Sequence, residues 1–356
     1  MILYVGKEEL GFFIAEVASR LKEEVIYMDR DSDISTQVNS ILQLAETEHI
    51  IYDIDQYTNP AEEIVDIINR IHKTNHATVI ILASGYMADS RILMQFRHAG
   101  FHNIITATAV ADLKDQLQKC LNGYYDNNPD LIIPPEIEEK LMTSTSSSSK
   151  LIGVAGSCHR IGTTTFALQL VKYLTLKGFR AAYIQMNSSN YIQHLLDWFE
   201  VNHDEEIGKV TYLSTDQFYN LEKLSDILRL DYDYFIYDYS TYSDTDFNKT
   251  SFLEKDLRYF VVGASPSEIP YTLDLIQSSF YQDVTYIYNF VPETDQKEVL
   301  ELMESKSDQT FFTGYAPDPY TLTDLKRYEE ILPLKQNDKS ANSKVKKQKP
   351  FHFFRR

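Results

Sequence analysis

The residues best suited to chemistry in this chain of 356 residues lie between Leu151 and Thr165, in the sequence LIGVAGSCHRIGTTT. An apolar run ends there in a loop closed by Gly162, and the threonines that follow begin an amphipathic stretch that predicts a helix ending near Gly178. In such a strand, loop and helix, backbone N–H groups and the helix N-terminus bind phosphate. The pattern therefore predicts a phosphate-binding loop.

The segment resembles the loop of the MinD/ParA branch of P-loop proteins, which reads roughly KGGxGK[ST][ST]. On that frame Gly162 is the last loop glycine and Thr164 the hydroxyl that binds magnesium, while Cys158 and Thr163 occupy the positions of the two lysines. A charged hydrogen bond contributes about 1.5 to 3 kcal/mol. We therefore expect the loss of two lysines to weaken nucleotide affinity by roughly two to four orders of magnitude.

Side chains also occupy two positions at which the family has glycines that let the backbone approach phosphate. His159 and Arg160 stand there, and a side chain at such a position either strains a conformation with positive φ or crowds the ligand. The guanidinium of Arg160 restores part of the missing positive charge. The segment thus resembles a degenerate Walker A loop.

Three later strands carry the other positions that the family uses. Gln185 and Asn187 replace an Asp-x-Asp pair, and neutral amides cannot act as a general base or hold magnesium through a carboxylate. Asp238 matches the magnesium-proximal aspartate, with a cap for the following segment as the alternative role. Asn289 matches the asparagine that reads adenine, with a turn-forming role as the alternative. Residues 312–320 resemble the final strand and the Pro-x-Asp-Pro loop beside the base.

These positions define a candidate nucleotide site to which the resemblance assigns ATP and Mg²⁺ as weakly bound ligands at most. No catalytic residue is assigned, and a magnesium ion accompanying a nucleotide is expected on Thr164 and Asp238. The candidate binding residues are Arg160, Gly162, Thr163, Thr164, Thr165, Asp238 and Asn289.

Residues 1–122 alternate five strand and five helix signals, with the first helix predicted at residues 9–21, which is the plan of a flavodoxin-like fold. This part resembles a response-regulator receiver with Asp53 at the phospho-acceptor position. Receivers hold magnesium with an acidic pair where this chain has residues 6–8 (GKE), and they need a lysine where it has residues 106–107 (TA). We therefore predict an atypical receiver in which Asp53 is a polar strand end, with phosphorylation as the alternative.

Composition divides the chain into four parts. Residues 151–334 alternate strand and helix signals, which predicts a parallel sheet covered on both faces. The fold class is therefore α/β, with a flavodoxin-like receiver-type domain followed by a MinD/ParA-like doubly wound, mainly parallel sheet. Residues 123–150 include a serine run that predicts a flexible linker, with a short helix at residues 132–141. Residues 335–356 form a basic tail, and its aromatic side chains are Phe351, Phe353 and Phe354.

Charge and cysteine content exclude several classes of function. A net charge of -18 disfavours nucleic-acid binding by the folded parts, because neutralisation of phosphates supplies most of such affinity. Two cysteines are too few for a disulfide framework or a zinc site. The sequence contains neither a signal peptide nor an apolar run of transmembrane length, so we expect a cytoplasmic protein.

This order of domains resembles the TadZ/CpaE proteins of pilus assembly. The resemblance implies a homodimeric localisation factor or scaffold for a Tad-type pilus or secretion machine, whose ATPase and inner-membrane components are the expected partners. The cations and phenylalanines of residues 339–356 predict contact with the inner face of the membrane, with a disordered solubilising tail as the alternative. Two other classes stay open: a slow MinD/ParA-class ATPase that uses Arg160, Thr164 and Asp238, and a partition or conjugation protein whose tail contacts DNA.

Overall fold

The computed structural model describes residues 1–334 except residues 10, 30, 45–46, 88, 128–148, 246 and 279. The described residues form two α/β units, one of five strands and one of nine. The predicted α/β fold class is confirmed. The predicted helix at 132–141, most of the predicted linker, and the basic tail lie outside the described residues.

The amino-terminal unit, residues 1–127, is a five-stranded parallel sheet in the order β2-β1-β3-β4-β5. This is the flavodoxin-like strand order, in agreement with the prediction. Its strands are β1 (Ile2–Val5), β2 (Val25–Met28), β3 (His49–Asp53), β4 (Thr78–Leu82) and β5 (Ile104–Ile105). Its helices are α1 (Phe12–Leu21), α2 (Ile34–Leu42), α3 (Ala61–Asn75), α4 (Arg91–His98), α5 (Val110–Leu121) and α6 (Tyr124–Asn127).

Two boundaries differ from the sequence-based prediction. Helix α1 begins at Phe12 and not at residue 9, because the preceding residues form a turn in which the Gly11 amide donates to the carbonyls of Lys7 and Glu8. Helix α6 lies within the predicted linker, where the Asp126 carboxylate accepts a hydrogen bond from the Asn103 side chain. Hydrogen bonds, which carry no hydrophobic periodicity, accompany both boundaries.

The carboxyl-terminal unit, residues 149–334, is a nine-stranded sheet in the order β14-β13-β12-β6-β11-β7-β10-β9-β8. Pairing is parallel from β14 to β10 and antiparallel through β9 and β8. Its strands are β6 (Lys150–Gly156), β7 (Ala181–Gln185), β8 (Asn202–Asp204), β9 (Lys209–Tyr212), β10 (Thr215–Phe218), β11 (Tyr234–Thr241), β12 (Leu257–Val262), β13 (Thr285–Asn289) and β14 (Thr310–Thr313). Its helices are α7 (Thr163–Leu176), α8 (Tyr191–Trp198), α9 (Leu224–Ile227), α10 (Lys249–Leu253), α11 (Ile269–Gln277), α12 (Gln296–Met303) and α13 (Leu325–Ile331).

Apolar side chains bury both faces of this sheet. Helix α7 packs Phe166, Leu170 and Leu174 against one face, and Phe252 and Phe260 belong to the core on the other. Full burial of one such side chain stabilises the fold by about 1.5 to 3 kcal/mol. In the described part of the chain, no helix combines the length and the apolar character needed to cross a membrane.

Strands β8, β9 and β10 extend one edge of the sheet beyond the predicted strands. They are three or four residues long, and all three residues of β8 are exposed. Strands this short and polar lack the alternation that marks a half-buried strand. The sequence analysis therefore missed them.

Candidate nucleotide site at the ends of the central strands

The predicted phosphate loop connects β6 to α7, and its shape depends on a contact with a neighbouring strand. Gly162 precedes the helix with φ of 98°, a left-handed conformation that favours glycine. A Cβ atom at Gly162 would lie 2.3 Å from Nδ2 of Asn289, at the end of β13. That same Nδ2 donates to the carbonyl oxygen of Ile161 at 2.9 Å. Gly162 is thus required by packing, whether or not phosphate binds.

The two side chains at the family's glycine positions differ in conformation. Arg160 has φ of 64°, so the predicted strain is confirmed at this residue, whereas the φ of His159 is not positive. His159 Nε2 lies 3.1 Å from Oδ1 of Asp244. The side chain of Arg160 is exposed and forms no ion pair with any residue in the described ranges. It supplies positive charge near the loop, but no ion pair with a described residue directs it into the site.

Asp238 lies at the centre of the candidate site and is fully buried on β11. Its Oδ2 accepts hydrogen bonds from Thr164 Oγ1 at 2.6 Å and from Tyr183 OH at 2.8 Å, and its Oδ1 accepts from the Ser240 amide at 2.9 Å. Burial raises the pKa of Asp238, and the three donors offset part of that rise. The structure therefore brings the predicted pair of Thr164 and Asp238 together.

Tyr183 is the residue of this cluster that the sequence analysis missed. It lies in the apolar strand β7, where its ring packs in the core, and it is fully buried. Burial and the neighbouring Asp238 raise the pKa of its phenol well above the usual value, so the hydroxyl stays protonated and donates. A tyrosine within an apolar run predicts only core packing. The one available signal for Tyr183 was indirect, because Asp238 at the end of an apolar strand needs hydrogen-bond donors when it is buried.

Gln185 and Asn187, at the family's Asp-x-Asp positions, form bonds that join backbone segments. Asn187 Nδ2 donates to the carbonyl oxygen of Asp238 at 2.8 Å, which ties the end of β7 to β11. Gln185 Oε1 accepts from the Ile192 amide at 3.1 Å, in the first turn of α8. Both amides therefore stabilise the fold around Asp238.

Asn289, the predicted adenine-reading residue, uses both ends of its amide within the protein. Besides its bond to the loop, its Oδ1 accepts from Thr313 Oγ1 at 2.6 Å. The adjacent loop is fixed by the buried Gln169, whose Nε2 donates to the carbonyls of Asp318, Pro319 and Thr321. This edge of the site is therefore ordered by internal hydrogen bonds.

The donor set fits a magnesium nucleotide poorly. The loop at residues 156–163 contains no lysine, and Thr163 is buried while Thr165 is half-buried. The Asp238 oxygen that faces Thr164 already accepts two hydroxyl hydrogens. A cation on this oxygen would have to displace at least one of the two hydrogen bonds, and phosphate would meet no lysine in this loop.

Asp53, the predicted phospho-acceptor candidate, lies at the end of β3 and is buried. Its Oδ1 accepts from the Asp55 amide at 3.3 Å, which caps the short helical turn that follows. Its Oδ2 accepts from Tyr4 OH at 3.4 Å. The carboxylate thus serves as a polar strand end, and its phosphorylation stays untested.

No family model and no curated protein matches this chain. Among solved structures, the chain is similar to a plasmid partition protein from Borrelia burgdorferi bound to AMPPNP, at 18% identity over 52% of this chain and 97% of the other, with a TM-score of 0.40. The Aquifex aeolicus MinC:MinD complex matches at 14% identity over 48% and 82%, with a TM-score of 0.33. The pNOB8 ParA protein bound to nonspecific DNA matches at 11% over 51% and 96%, with a TM-score of 0.36. At identities this low, function must be inferred from side chains at the site.

Replacing Arg160 by glycine should stabilise the protein. The left-handed conformation costs an L-residue about 1 to 2 kcal/mol, and the greater freedom of glycine in the unfolded chain offsets part of the gain. We expect the free energy of unfolding, measured by urea denaturation, to rise by about 0.5 to 1 kcal/mol. His159→Gly is the matched control and should lower it, because His159 has no positive φ to relieve. Equal effects of the two substitutions would contradict this account.

Tyr183→Phe should destabilise the fold in a pH-dependent way. The substitution removes a donor to a buried carboxylate, which costs about 1.5 to 3 kcal/mol while Asp238 is charged. Because its folded pKa is raised, Asp238 favours folding most at acid pH, and that contribution is lost as pH rises through the folded pKa. The penalty of Tyr183→Phe should therefore shrink as pH falls through that pKa.

The control is Tyr173→Phe, which removes a buried hydroxyl that donates to the Leu332 carbonyl at 2.9 Å. Its penalty of about 1 kcal/mol should not vary with pH, because the acceptor carries no charge. Urea unfolding of both variants at neutral and acid pH provides the comparison. Parallel pH profiles would show that Tyr183 does not act on the charge of Asp238.

Proposed function

We propose that this chain is a non-catalytic or weakly nucleotide-binding localisation factor or scaffold for a Tad-type pilus or secretion machine. In this proposal it retains the frame of a MinD/ParA-like P-loop protein and acts by binding other proteins. An amino-terminal unit with flavodoxin-like strand order precedes the unit that carries the loop, which supports the proposal. The link to a pilus or secretion machine rests on the order of the two domains alone.

One observation carries the non-catalytic part of the proposal. The Asp238 carboxylate is buried and accepts hydrogen bonds from Thr164, Tyr183 and Ser240, in a site whose loop has no lysine. Phosphoryl transfer depends on cations that neutralise developing charge on the phosphate oxygens. Within the loop at residues 156–163, Arg160 is the one permanently charged cation, and no ion pair with a described residue directs its side chain into the site.

The proposal includes a homodimer that forms without nucleotide, with a pilus or secretion ATPase and inner-membrane components as partners. The family resemblance predicts pairing through the face that carries the loop. In this chain internal hydrogen bonds of Asn289 and Gln169 order that face, so a nucleotide is not needed to shape it. Sedimentation without nucleotide should show a dimer at about 10 µM.

The purified protein should not hydrolyse ATP. We expect phosphate release by the full-length chain with ATP and Mg²⁺ to equal that of Asp238→Asn, which removes the carboxylate but keeps a side chain of similar size. Calorimetric titration should show ATP binding weaker than that of lysine-containing relatives by roughly two to four orders of magnitude. Turnover that Asp238→Asn abolishes would establish a divergent, slow ATPase instead.

The basic tail should attach the protein weakly to anionic membranes. Each Lys or Arg near such a surface contributes about 1 kcal/mol, and inserted phenylalanines add apolar burial. Full-length protein should float with anionic liposomes at moderate salt, and a chain stopped after Leu334 should not. Equal flotation of the two would disprove tail attachment, and retention of the full-length protein on DNA in place of liposomes would favour a partition-type role.

A further inference from the structure

Two segments, one from each unit, meet residue by residue. Residues 89–91 cover the end of the loop after β4 and the first residue of α4, and residues 254–256 lie between α10 and β12. Three side-chain pairs join them: Asp89 Oδ2 to Lys255 Nζ at 2.5 Å, Ser90 Oγ to Glu254 Oε1 at 2.8 Å, and Arg91 Nη2 to Asp256 Oδ1 at 2.5 Å. Nearby, Asn248 Nδ2 donates to the carbonyl oxygen of Gly85 at 2.7 Å.

The pair of Asp89 and Lys255 is buried between the units, with side chains 2% and 1% exposed. Removing two charges from water carries a desolvation penalty that their mutual attraction offsets only while both are in place. If one partner is removed or withdrawn, the other becomes an uncompensated buried charge. The contact is therefore stable when the two charges are paired, and the separated segments are stable when both charges are in water. A state in which only one charge stays buried is unstable.

Lys255 rests on the two strands whose ends form the candidate site. On β6, a Cβ atom at Gly153 would lie 3.2 Å from Cγ of Lys255, so the lysine stem packs directly on the strand that leads into the loop. On β11, Lys255 Nζ lies 4.3 Å from the ring centroid of Tyr237, the residue before Asp238. Asp256 adds a third attachment, because its Oδ2 accepts from the Leu151 amide of β6 at 2.8 Å.

We propose that residues 89–91 and 254–256 form a latch through which the amino-terminal unit holds β6 and β11 in register. The loop at residues 157–162 and the Asp238 cluster then keep their arrangement only while the latch is closed. Lys255 and Asp89 are positioning residues in this device. A partner that displaces the amino-terminal unit would loosen the loop. This inference is independent of the pilus role proposed above.

The chain contains its own reporter for this device. Of its two cysteines, Cys158 is half-buried in the loop and Cys120 is buried in the amino-terminal unit. The experiment measures the rate at which a thiol reagent modifies Cys158 in full-length protein carrying Cys120→Ala. Lys255→Met and Asp89→Asn should each accelerate modification by about fivefold or more, because an open latch frees the loop. Val17→Ala, a buried substitution in α1, should leave the rate unchanged.

The double variant Asp89→Asn with Lys255→Met removes both charges, so we expect its rate to return to within about twofold of the parent. Unchanged rates in folded single variants would overturn the latch, and so would equal acceleration by Val17→Ala. If the single variants do not fold, the rate of Cys158 modification in the double variant tests the latch. A double variant that reacts as fast as denatured protein would also overturn it.

Glu254 makes the latch sensitive to pH. Burial raises the pKa of Glu254 to about 7, while Ser90 donates to its carboxyl and Asp89, Lys255, Tyr86 and Tyr239 face it. Its neutral form favours the closed latch, whose added stability is complete below about pH 4.5 and lost as pH rises through 7. From about pH 6 to 8, Cys158 modification should rise more steeply in the parent than in Glu254→Gln. Identical pH dependence of Cys158 modification in the two proteins would show that Glu254 does not control the latch.

Discussion

The buried carboxylate of Asp238 is the constraint around which the carboxyl-terminal unit is arranged. A carboxylate removed from water must find donors or become neutral, and this one receives them from the helix start, the neighbouring strand and its own strand end. These bonds fix α7, β7 and β11 relative to one another. The ends of these strands therefore meet in a hydrogen-bond cluster that is internal to the protein.

Backbone strain collects at the same edge of the sheet. Arg160, Ser240 and Phe290 all have positive φ, and each lies at or just after the carboxyl end of a strand that borders the site. Such conformations persist only where surrounding contacts determine them. Here the contacts are internal to the protein, since the Ser240 amide bonds Asp238 and the residue before Phe290 bonds the loop. These contacts hold the backbone of this edge without a ligand.

The sequence was sufficient for what local patterns control. The strand and helix order and the loop with its glycine follow from periodicity and from residues close together in the chain. The pairing of Thr164 with Asp238, 74 residues apart, and the strain at Arg160 were expected from the family resemblance. Other contacts between distant segments could not be predicted. Tyr183 and Asp238 are 55 residues apart, and Asp89 and Lys255 are 166 apart, and neither pair leaves a mark on hydrophobic spacing. Strands β8 to β10 were missed because they are short and largely polar.

The contact between Gly162 and Asn289 has a consequence for how such loops are recognised. The side-chain amide of Asn289 leaves no room for a Cβ atom at Gly162 and bonds the loop backbone, so the loop has one shape before any ligand binds. Ordering the loop on binding would therefore cost little conformational entropy. The geometry of the loop and its affinity for phosphate are therefore separate properties, set by different atoms. A glycine followed by threonines at a strand–helix junction reports backbone architecture, whereas the cationic side chains around it report whether a nucleotide can be held.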